Sequence, residues 1–380
     1  MKKNRLFLML TMLVAAIVLS SCSKSVPDYA KLIPDDADMV ARIDVRQLAA
    51  KSGFGKGDGV NSKIKQALKE KVSEKTQKKI LEIMDSPAQA GLDLRDPVMI
   101  YVCSSKQEVG LVGTMWKKDR FTDLLNVLAD EVDAGKVQSD GDLSYIKLND
   151  VLVTFNDDWF HIGVCQDGNI KTLAKEIAKR GESDKGSITG NAAFQRMCKK
   201  TGVAQLLVRG QWLNDNGPEL FGSRYYDDYY FDEENFELMP EESAWTAENP
   251  FDEFKKVTDV DISATDILFD LEINRAEAKG SVELFAAGKD GAKQIATFDK
   301  IMGGKKDGLF VRLGFGLLNT LAKQNPDYNE YTASLMGRLI KFVELKYEGD
   351  ARLTLRLVTR DITKTPIESA VSILHEEFGL

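Results

Sequence analysis

The chain has 380 residues, of which 43% are hydrophobic and 29% are charged, and its formal net charge is −8. This is an ordinary globular composition, and the length suffices for two domains or one large domain. An acidic chain is poorly matched to the phosphate backbone, so we expect no nucleic-acid partner.

The N-terminus has the pattern of an export signal. Residues 1–5 are basic, residues 6–19 are apolar except for Thr11, and small residues lead to Cys22. A spanning helix needs about 20 apolar residues, so an uncleaved membrane anchor is the weaker alternative, as is an ordinary secreted protein cut nearby. The pattern predicts a signal peptide over residues 1–21.

The sequence Leu19-Ser20-Ser21-Cys22 resembles the lipobox of bacterial lipoproteins. The resemblance implies cleavage before Cys22, a diacylglyceryl thioether on its sulfur, and an anchored protein, because each buried methylene adds about 0.8 kcal/mol of membrane affinity. Ser23 and the absence of an acid before Asp28 resemble the pattern that sorts lipoproteins to the outer membrane. We therefore expect a cell-envelope protein, held at the outer membrane by its N-terminal lipid and facing the periplasm.

Three cysteines remain beyond the lipidation site: Cys103, Cys165 and Cys198. They have neither a Cys-x-x-Cys spacing nor a neighbouring histidine, which argues against zinc. We expect buried apolar thiols. A bridge between Cys103 and Cys165 stays open, because both lie in predicted strands but their separation is unknown.

The mature chain begins with a predicted tether over residues 22–33 and a turn before residue 39. Hydrophobic periodicity then separates strands from helices. Helices are predicted at 45–51, 62–84, 119–129, 169–180, 192–200, 289–301, 316–324, 328–339 and 365–378. Strands are predicted at 39–44, 98–103, 108–116, 143–148, 151–155, 159–164, 203–212, 266–274, 278–285, 309–313, 342–347 and 351–358.

This order of elements predicts an α+β fold, with mainly antiparallel sheets and helices packed on one face. Residues 39–43 resemble residues 310–313, and both resemble residues 205–209, which indicates two related halves; chance similarity of apolar strands is the equal alternative. We predict an N-terminal α+β domain over 34–213, an insertion over 214–257 and a C-terminal α+β part over 258–380.

The predicted insertion is unusual. Residues 214–254 contain 13 acidic and ten aromatic residues. Aromatic side chains with polar groups suit interfaces, so a protein or glycan partner is one interpretation; packing onto the chain's own domain is the other. The predicted contact residues are Tyr225, Tyr226, Tyr229, Tyr230, Phe231 and Phe236. Weak calcium candidates are Asp227, Asp228 and Asp232, although their spacing does not match an EF-hand.

Two further motifs resemble an uncharacterised family of Bacteroidota lipoproteins, a domain of unknown function. The first is Pro34-x-Asp36-Ala37 followed by Leu48-x-x-Lys51-Ser52-Gly53, and the second is Gly91-Leu92-Asp93 before Asp96-Pro97. These motifs describe a turn, a helix end and a strand start. The resemblance therefore implies a fold and an envelope location, and it brings no catalytic residue and no cofactor.

The sequence contains no recognisable catalytic motif. There is no Gly-x-Ser-x-Gly elbow, zincin helix or phosphate loop, and His161 lies in a predicted strand, where a packed or edge histidine is the expected role. We therefore predict a non-enzymatic binding or scaffold protein without a cofactor. The alternative is an envelope hydrolase that uses carboxylates which sequence cannot pair.

Overall fold

In the computed structural model, a long antiparallel sheet carries the other elements. The residues described are 26–52, 72–85, 87–164, 168–221, 229–232, 237–240, 250–303, 309–314 and 336–378. Cys22, the predicted lipidation site, lies outside them. No helix in these ranges is long and apolar enough to cross a membrane.

Sixteen strands occur in the described residues, and all their pairings are antiparallel. The strands are β1 Met39–Ile43, β2 Leu92–Asp93, β3 Val98–Cys103, β4 Glu108–Met115, β5 Gln138–Asp140, β6 Leu143–Leu148, β7 Val151–Phe155, β8 Trp159–Val164, β9 Ala204–Arg209, β10 Tyr229–Asp232, β11 Glu237–Pro240, β12 Thr265–Asn274, β13 Glu277–Ala286, β14 Phe310–Gly314, β15 Ile340–Gly349 and β16 Arg352–Thr359.

Nine α-helices accompany these strands within the same described ranges. They are α1 Val45–Ser52, α2 Glu74–Asp85, α3 Lys118–Val132, α4 Ile170–Gly181, α5 Ala192–Cys198, α6 Gly210–Phe221, α7 Pro250–Thr258, α8 Gly291–Ile301 and α9 Pro366–Phe378. A 3-10 helix over Asp28–Leu32 precedes β1, and its Tyr29, Ala30 and Leu32 are buried. The end of the predicted tether is therefore packed onto the fold.

The sheet repeats one topology about its centre. Its order is β14-β15-β16-β13-β12-β9-β1-β3-β4-β8-β7-β6-β5, with β2 added to β4. Outward from the centre, β1-β3-β4-β8-β7-β6 matches β9-β12-β13-β16-β15-β14, and each half follows the same order along the chain. The counterpart of β1 is therefore β9, as the resemblance of residues 205–209 suggested, whereas residues 310–313 form the counterpart of β6.

The antiparallel α+β class is confirmed, but the helices do not keep to one face. In the first half, one core packs α3 against Val98 of β3, and a second core packs α4 and α5 against Met99 and Tyr101 of the same strand. Successive strand residues point to opposite faces, and here both sets are apolar. Helices consequently cover both sides of this half.

Two predicted boundaries are wrong for local reasons. The helix predicted over 62–84 does not include Val72 and Ser73, which are not helical, and α2 begins at Glu74; residues 62–71 lie outside the described ranges. The Ser73 hydroxyl accepts a hydrogen bond from Thr76 N (3.4 Å) and so caps α2. The strand predicted over 203–212 ends at Arg209, and α6 begins at Gly210. A Cβ on Gly210 would lie 1.8 Å from the Ile262 carbonyl oxygen, so only glycine fits this corner.

Gly91, from the second family motif, occupies a position that requires glycine for two reasons: its backbone conformation and the closeness of neighbouring atoms. Its φ is +81°, and a Cβ there would lie 2.4 Å from the Lys117 carbonyl oxygen and 2.7 Å from Phe121 N, at the start of α3. Gly141 also has a positive φ (+62°), but a Cβ there would meet no atom within 4 Å. Substitutions at Gly91 and Gly141 therefore separate the energetic cost of backbone strain from the cost of steric overlap.

We expect Gly141→Ala to lower the free energy of unfolding by about 1 kcal/mol, the usual cost of a side chain at positive φ. Gly91→Ala should cost about 3 kcal/mol, because α3 must also shift away from the new methyl group. Urea unfolding of both variants and the wild type measures the difference. Equal losses in the two variants would contradict this account.

Candidate functional site

Helix α4 lies across the sheet and separates two clefts. Asn169 caps it, since its side-chain oxygen accepts hydrogen bonds from the backbone nitrogens of Lys171 (3.0 Å) and Thr172 (3.2 Å). Ala174 and Ile177 are buried against the strands. Because helical residues three or four apart share a face, each flank of α4 lines a different cleft.

The narrower cleft has a volume of about 550 Å³ and lies between α4, the end of β8 and the turn that joins β3 to β4. Its walls are apolar: Leu152 and Val164 from β7 and β8, and Leu173 and Ile177 from α4. Charged and polar side chains close it, among them Glu108, His161 and Arg180. A pocket of this size, with apolar walls and a few convergent polar groups, is typical of small-molecule binding sites.

A polar network forms the closed end. The Tyr101 hydroxyl donates a short hydrogen bond to Glu108 Oε1 and lies 2.7 Å from His161 Nε2. Arg180 donates from both terminal nitrogens to Glu108, from Nη2 to Oε1 (2.8 Å) and from Nη1 to Oε2 (3.1 Å). A paired guanidinium of this kind holds a carboxylate in one orientation.

Burial and hydrogen bonding set the ionisation of these groups. Burial acts to raise the pKa of Glu108, but hydrogen bonds from His161 and Arg180 outweigh it and lower the pKa to about 2. Burial lowers the pKa of His161 and, together with the charge on Glu108, raises the pKa of Tyr101. At neutral pH the network therefore holds a carboxylate, a neutral imidazole and a protonated phenol.

Two strand glycines give the rings room. Gly110 lies opposite Tyr101 in the β3–β4 pairing, and a Cβ on it would lie 2.4 Å from the Tyr101 ring. Gly163 lies opposite Gly110, and a Cβ on it would lie 2.7 Å from His161 Cε1. Any larger residue at either position would displace a ring, so the glycines belong to the construction of the site.

The broader cleft lies on the other flank of α4 and has a volume of about 1320 Å³. Its wall includes Val26 and Asp28, which belong to the predicted tether, together with the half-buried Trp159. Some of its charged groups pair with one another: Lys31 with Asp28 (3.2 Å) and Lys175 with Asp140 (2.7 Å). This cleft is wider and more polar than the first, and charged pairs cross its surface.

The residues predicted to contact a partner are only partly described. Tyr229, Tyr230 and Phe231 lie on β10 with the calcium candidate Asp232, and β10 pairs with β11 in a two-stranded sheet of its own. The remaining predicted residues of this segment lie outside the described ranges: Tyr225, Tyr226, Phe236, Asp227 and Asp228. A partner contact at this segment stays a prediction.

The cysteines are placed in part. Cys103 and Cys198 are buried free thiols, the first in β3 and the second at the end of α5. Cys165 lies outside the described residues. Burial raises the pKa of Cys198 to about 12, so this thiol is unreactive at neutral pH.

The sequence predicted a packed or edge histidine at position 161, and in the structure this residue is buried. Sequence reasoning did not identify Tyr101, Glu108 or Arg180, which join His161 only through contacts between distant parts of the chain. The available signal was local: a glycine stands two residues after Glu108 and two residues after His161. A glycine inside a strand often marks a close approach by another group.

Comparison with known proteins gives one family match. Residues 29–210 match the model of a domain of unknown function, DUF4836, and this range includes both motifs around Pro34 and Gly91. It spans the first half of the sheet as far as β9. No curated protein matches the chain in sequence.

Solved structures of one protein, TP0453, resemble the chain over nearly its whole length. Its crystal form I is 11% identical, with a TM-score of 0.37, and the alignment covers 93% of this chain and 99% of that one. Its crystal form III is 10% identical, with a TM-score of 0.38, over 92% and 99% of the two chains. At these values, the similarity carries no functional argument.

The buried histidine predicts a pH dependence of stability. In the unfolded chain His161 titrates near pH 6.5, whereas in the fold its pKa is lower, so below about pH 6.5 the unfolded state binds the extra proton. We expect the free energy of unfolding to fall on this account by up to about 1.4 kcal/mol per pH unit, from about pH 6.5 towards the lower folded pKa.

Urea unfolding at several values between pH 7.5 and pH 5.0 measures this slope. His161→Gln should be less stable at pH 7.5 and should lose the slope, because glutamine does not titrate. The contribution of Glu108 appears separately, since its stabilisation is lost only as the pH falls from its ordinary pKa of 4.5 towards about 2. Identical slopes in the variant and the wild type would refute the assignment to His161.

Proposed function

We propose that this is a lipid-anchored binding protein of the cell envelope, attached through Cys22 at the periplasmic side of the outer membrane. The N-terminal pattern that ends at Cys22 supports the anchor and the export. The narrow cleft beside α4 supports the binding role, and it is the observation on which that role rests. The ligand is a small molecule that enters between α4 and the ends of β7 and β8.

The ionisation of the closed end favours binding over catalysis. A general acid or base works best when its pKa lies near the working pH. The pKa of Glu108 is held at about 2, that of Tyr101 is raised, and His161 is held neutral with its Nε2 against the Tyr101 hydroxyl. The ionisation of Glu108 and Tyr101 supports a role in orienting a ligand.

The alternative of a hydrolase with paired carboxylates would need one carboxyl group with a raised pKa. The broader cleft has several carboxyl groups, but those with clear contacts are held as anions or hydrogen-bonded. Hydrogen bonds from Lys175 and Lys171 lower the pKa of Asp140. Asp96 accepts a hydrogen bond from Thr114 (2.9 Å). These contacts do not support the acid that hydrolysis requires.

The anchor would hold the clefts close to the bilayer. Val26 borders the broader cleft and is separated from Cys22 by four peptide units. A trans peptide advances the chain by at most about 3.6 Å, so the lipidated sulfur would be held within roughly 20 Å of that wall. A membrane component would therefore need to travel only a short distance to reach the clefts beside α4.

Cys22→Ala tests the anchor. We expect wild-type protein from its own cells to sediment with membranes and to carry a lipid on its N-terminal peptide, as read by mass spectrometry. The Cys22→Ala variant should lack the modification and leave the washed membrane fraction, whereas the matched Cys103→Ala variant should stay with it. An unmodified Cys22 in the wild type would end the proposal of a lipid anchor.

Val164→Trp tests the cleft. Val164 lines the narrow cleft and is 56% exposed, so a tryptophan there can narrow the entrance without unfolding the chain. Val257, on α7, is 83% exposed and lines neither cleft. It provides the matched control, Val257→Trp.

Native mass spectrometry of protein purified from its own membranes gives the measurement. We expect a small-molecule adduct on the wild type and on Val257→Trp, reduced at least tenfold on Val164→Trp, because the indole occupies the entrance. A wild type without adduct, or equal adduct on both variants, would count against binding in this cleft.

A further inference from the structure

We propose that the narrow cleft binds an uncharged amphiphile, with a hydroxyl group hydrogen-bonded to His161 Nδ1 and an apolar chain along the walls formed by α4, β7 and β8. The proposal rests on the binding function proposed above and names the chemical class of its ligand. It follows from the positions of protons in the polar network, from the charges around it and from the walls.

The protons of the network are fixed by elimination. Glu108 is a carboxylate, which can only accept hydrogen bonds, so the Tyr101 hydroxyl must donate to it. The Tyr101 hydroxyl proton is then used in that bond, so the 2.7 Å contact with His161 requires Nε2 to carry a proton. Nε2 donates it to Tyr101 Oη, and Glu108 Oε1 lies 3.5 Å away on the same side. A neutral imidazole carries one N–H, so Nδ1 is the acceptor nitrogen.

His161 Nδ1 has no hydrogen-bond partner among the described residues, although the imidazole is 1% exposed and lines the cleft. Thr154 lies directly across the β7–β8 pairing from His161, and its Oγ1 is likewise buried without a partner. His161 and Thr154 thus share one face of the sheet, the first with a bare acceptor and the second with a hydroxyl donor. A ligand hydroxyl can donate to the first and accept from the second, and each buried group left unpaired otherwise costs about 1–3 kcal/mol.

The paired charges at the closed end favour an uncharged head group there; the other charged residues of the lining, Lys106 and Glu176, are exposed. Glu108 and Arg180 neutralise each other through two hydrogen bonds, and their side chains are only 16% and 24% exposed. A ligand carboxylate would face Glu108 and the Nδ1 lone pair. A ligand ammonium would enter a site whose nearest carboxylate already has its counter-ion, and an unpaired buried charge is costly in either case.

The walls determine the rest of the ligand. The apolar walls that continue from the polar end include Leu152, Leu173 and Ile177. Val164 lies on the exposed side of the cleft. The volume of about 550 Å³ lies within the range of small-ligand pockets, which favours a single alkyl chain.

Photo-crosslinking of the full lipidated protein in its own membranes tests the proposal. The probe is decan-1-ol with a diazirine on its chain, and the readout is the label on cleft peptides. Decan-1-ol, decyl methyl ether, decanoate and decylammonium compete. We expect the alcohol to compete at least about tenfold better than the other three, because only it satisfies Nδ1 without bringing a charge.

His161→Phe should reduce labelling about tenfold and remove the preference of the alcohol over the ether. Thr154→Val keeps the volume and the Tyr101–Glu108 contact, so it is the second variant if His161→Phe does not fold; it should weaken labelling several-fold. Labelling should be lost in Val164→Trp and kept in Val257→Trp.

Three results would overturn the proposal. Equal competition by a charged decyl compound, or an alcohol preference that survives in both polar variants, would show that the ligand class is wrong while labelling of the cleft still supports the binding function. Absence of label from the cleft would also refute the ligand class. The membrane-derived adduct on the wild type, compared with Val164→Trp, then decides the binding function separately.

Discussion

The pairing of β1 with β9 is the contact on which the whole sheet depends. The five residues Met39–Ile43 pair on one side with β3 and on the other with β9, which in turn pairs with β12. Each half would otherwise end in an unpaired edge at this point, with open backbone groups. A buried polar chain crosses the seam: Arg42 Nη1 donates to Gln205 (2.6 Å), and Gln205 Nε2 donates to Asp270 (2.9 Å). Because a shift of one residue would break these bonds, they fix the register.

The two halves share a topology but differ in the surfaces that they build on it. On the face of α4 and α5, the first half presents apolar residues such as Met99 and Leu152, which form a closed core. The same face of the second half presents ion pairs. Glu283 meets Arg196 and Arg352 there, and neighbouring strands add the pairs Arg356–Glu277 and Arg312–Glu344. Charged residues paired across strands suit a solvated face. Of the two halves, it is the first that provides the apolar walls of the narrow cleft.

Sequence periodicity predicted the local structure well wherever turns are short. The strands over 143–148, 151–155 and 159–164 appear with the predicted bounds, since alternating apolar residues flank turns whose Asn149 adopts a positive φ (55°). Packing decided the exceptions. Nothing local in residues 203–212 marks the change from strand to helix at Gly210, because the reason is the approach of Ile262 from a distant segment. The charge pattern of residues 62–84 likewise concealed the break before α2.

The candidate site was hidden for the same reason. Tyr101 and His161 are 60 residues apart, and Glu108 and Arg180 are 72 apart, so composition and spacing do not associate them. The strand glycines are a local sequence signal of the site. A glycine inside a strand costs stability, and one that lies two residues from a titratable side chain shares its face of the sheet. Gly110 and Gly163 have this relation to Glu108 and His161, and the room they leave is filled by the two rings. A strand glycine that lies two residues from a titratable side chain, on the same face of the sheet, therefore indicates where a sheet accommodates a buried polar group.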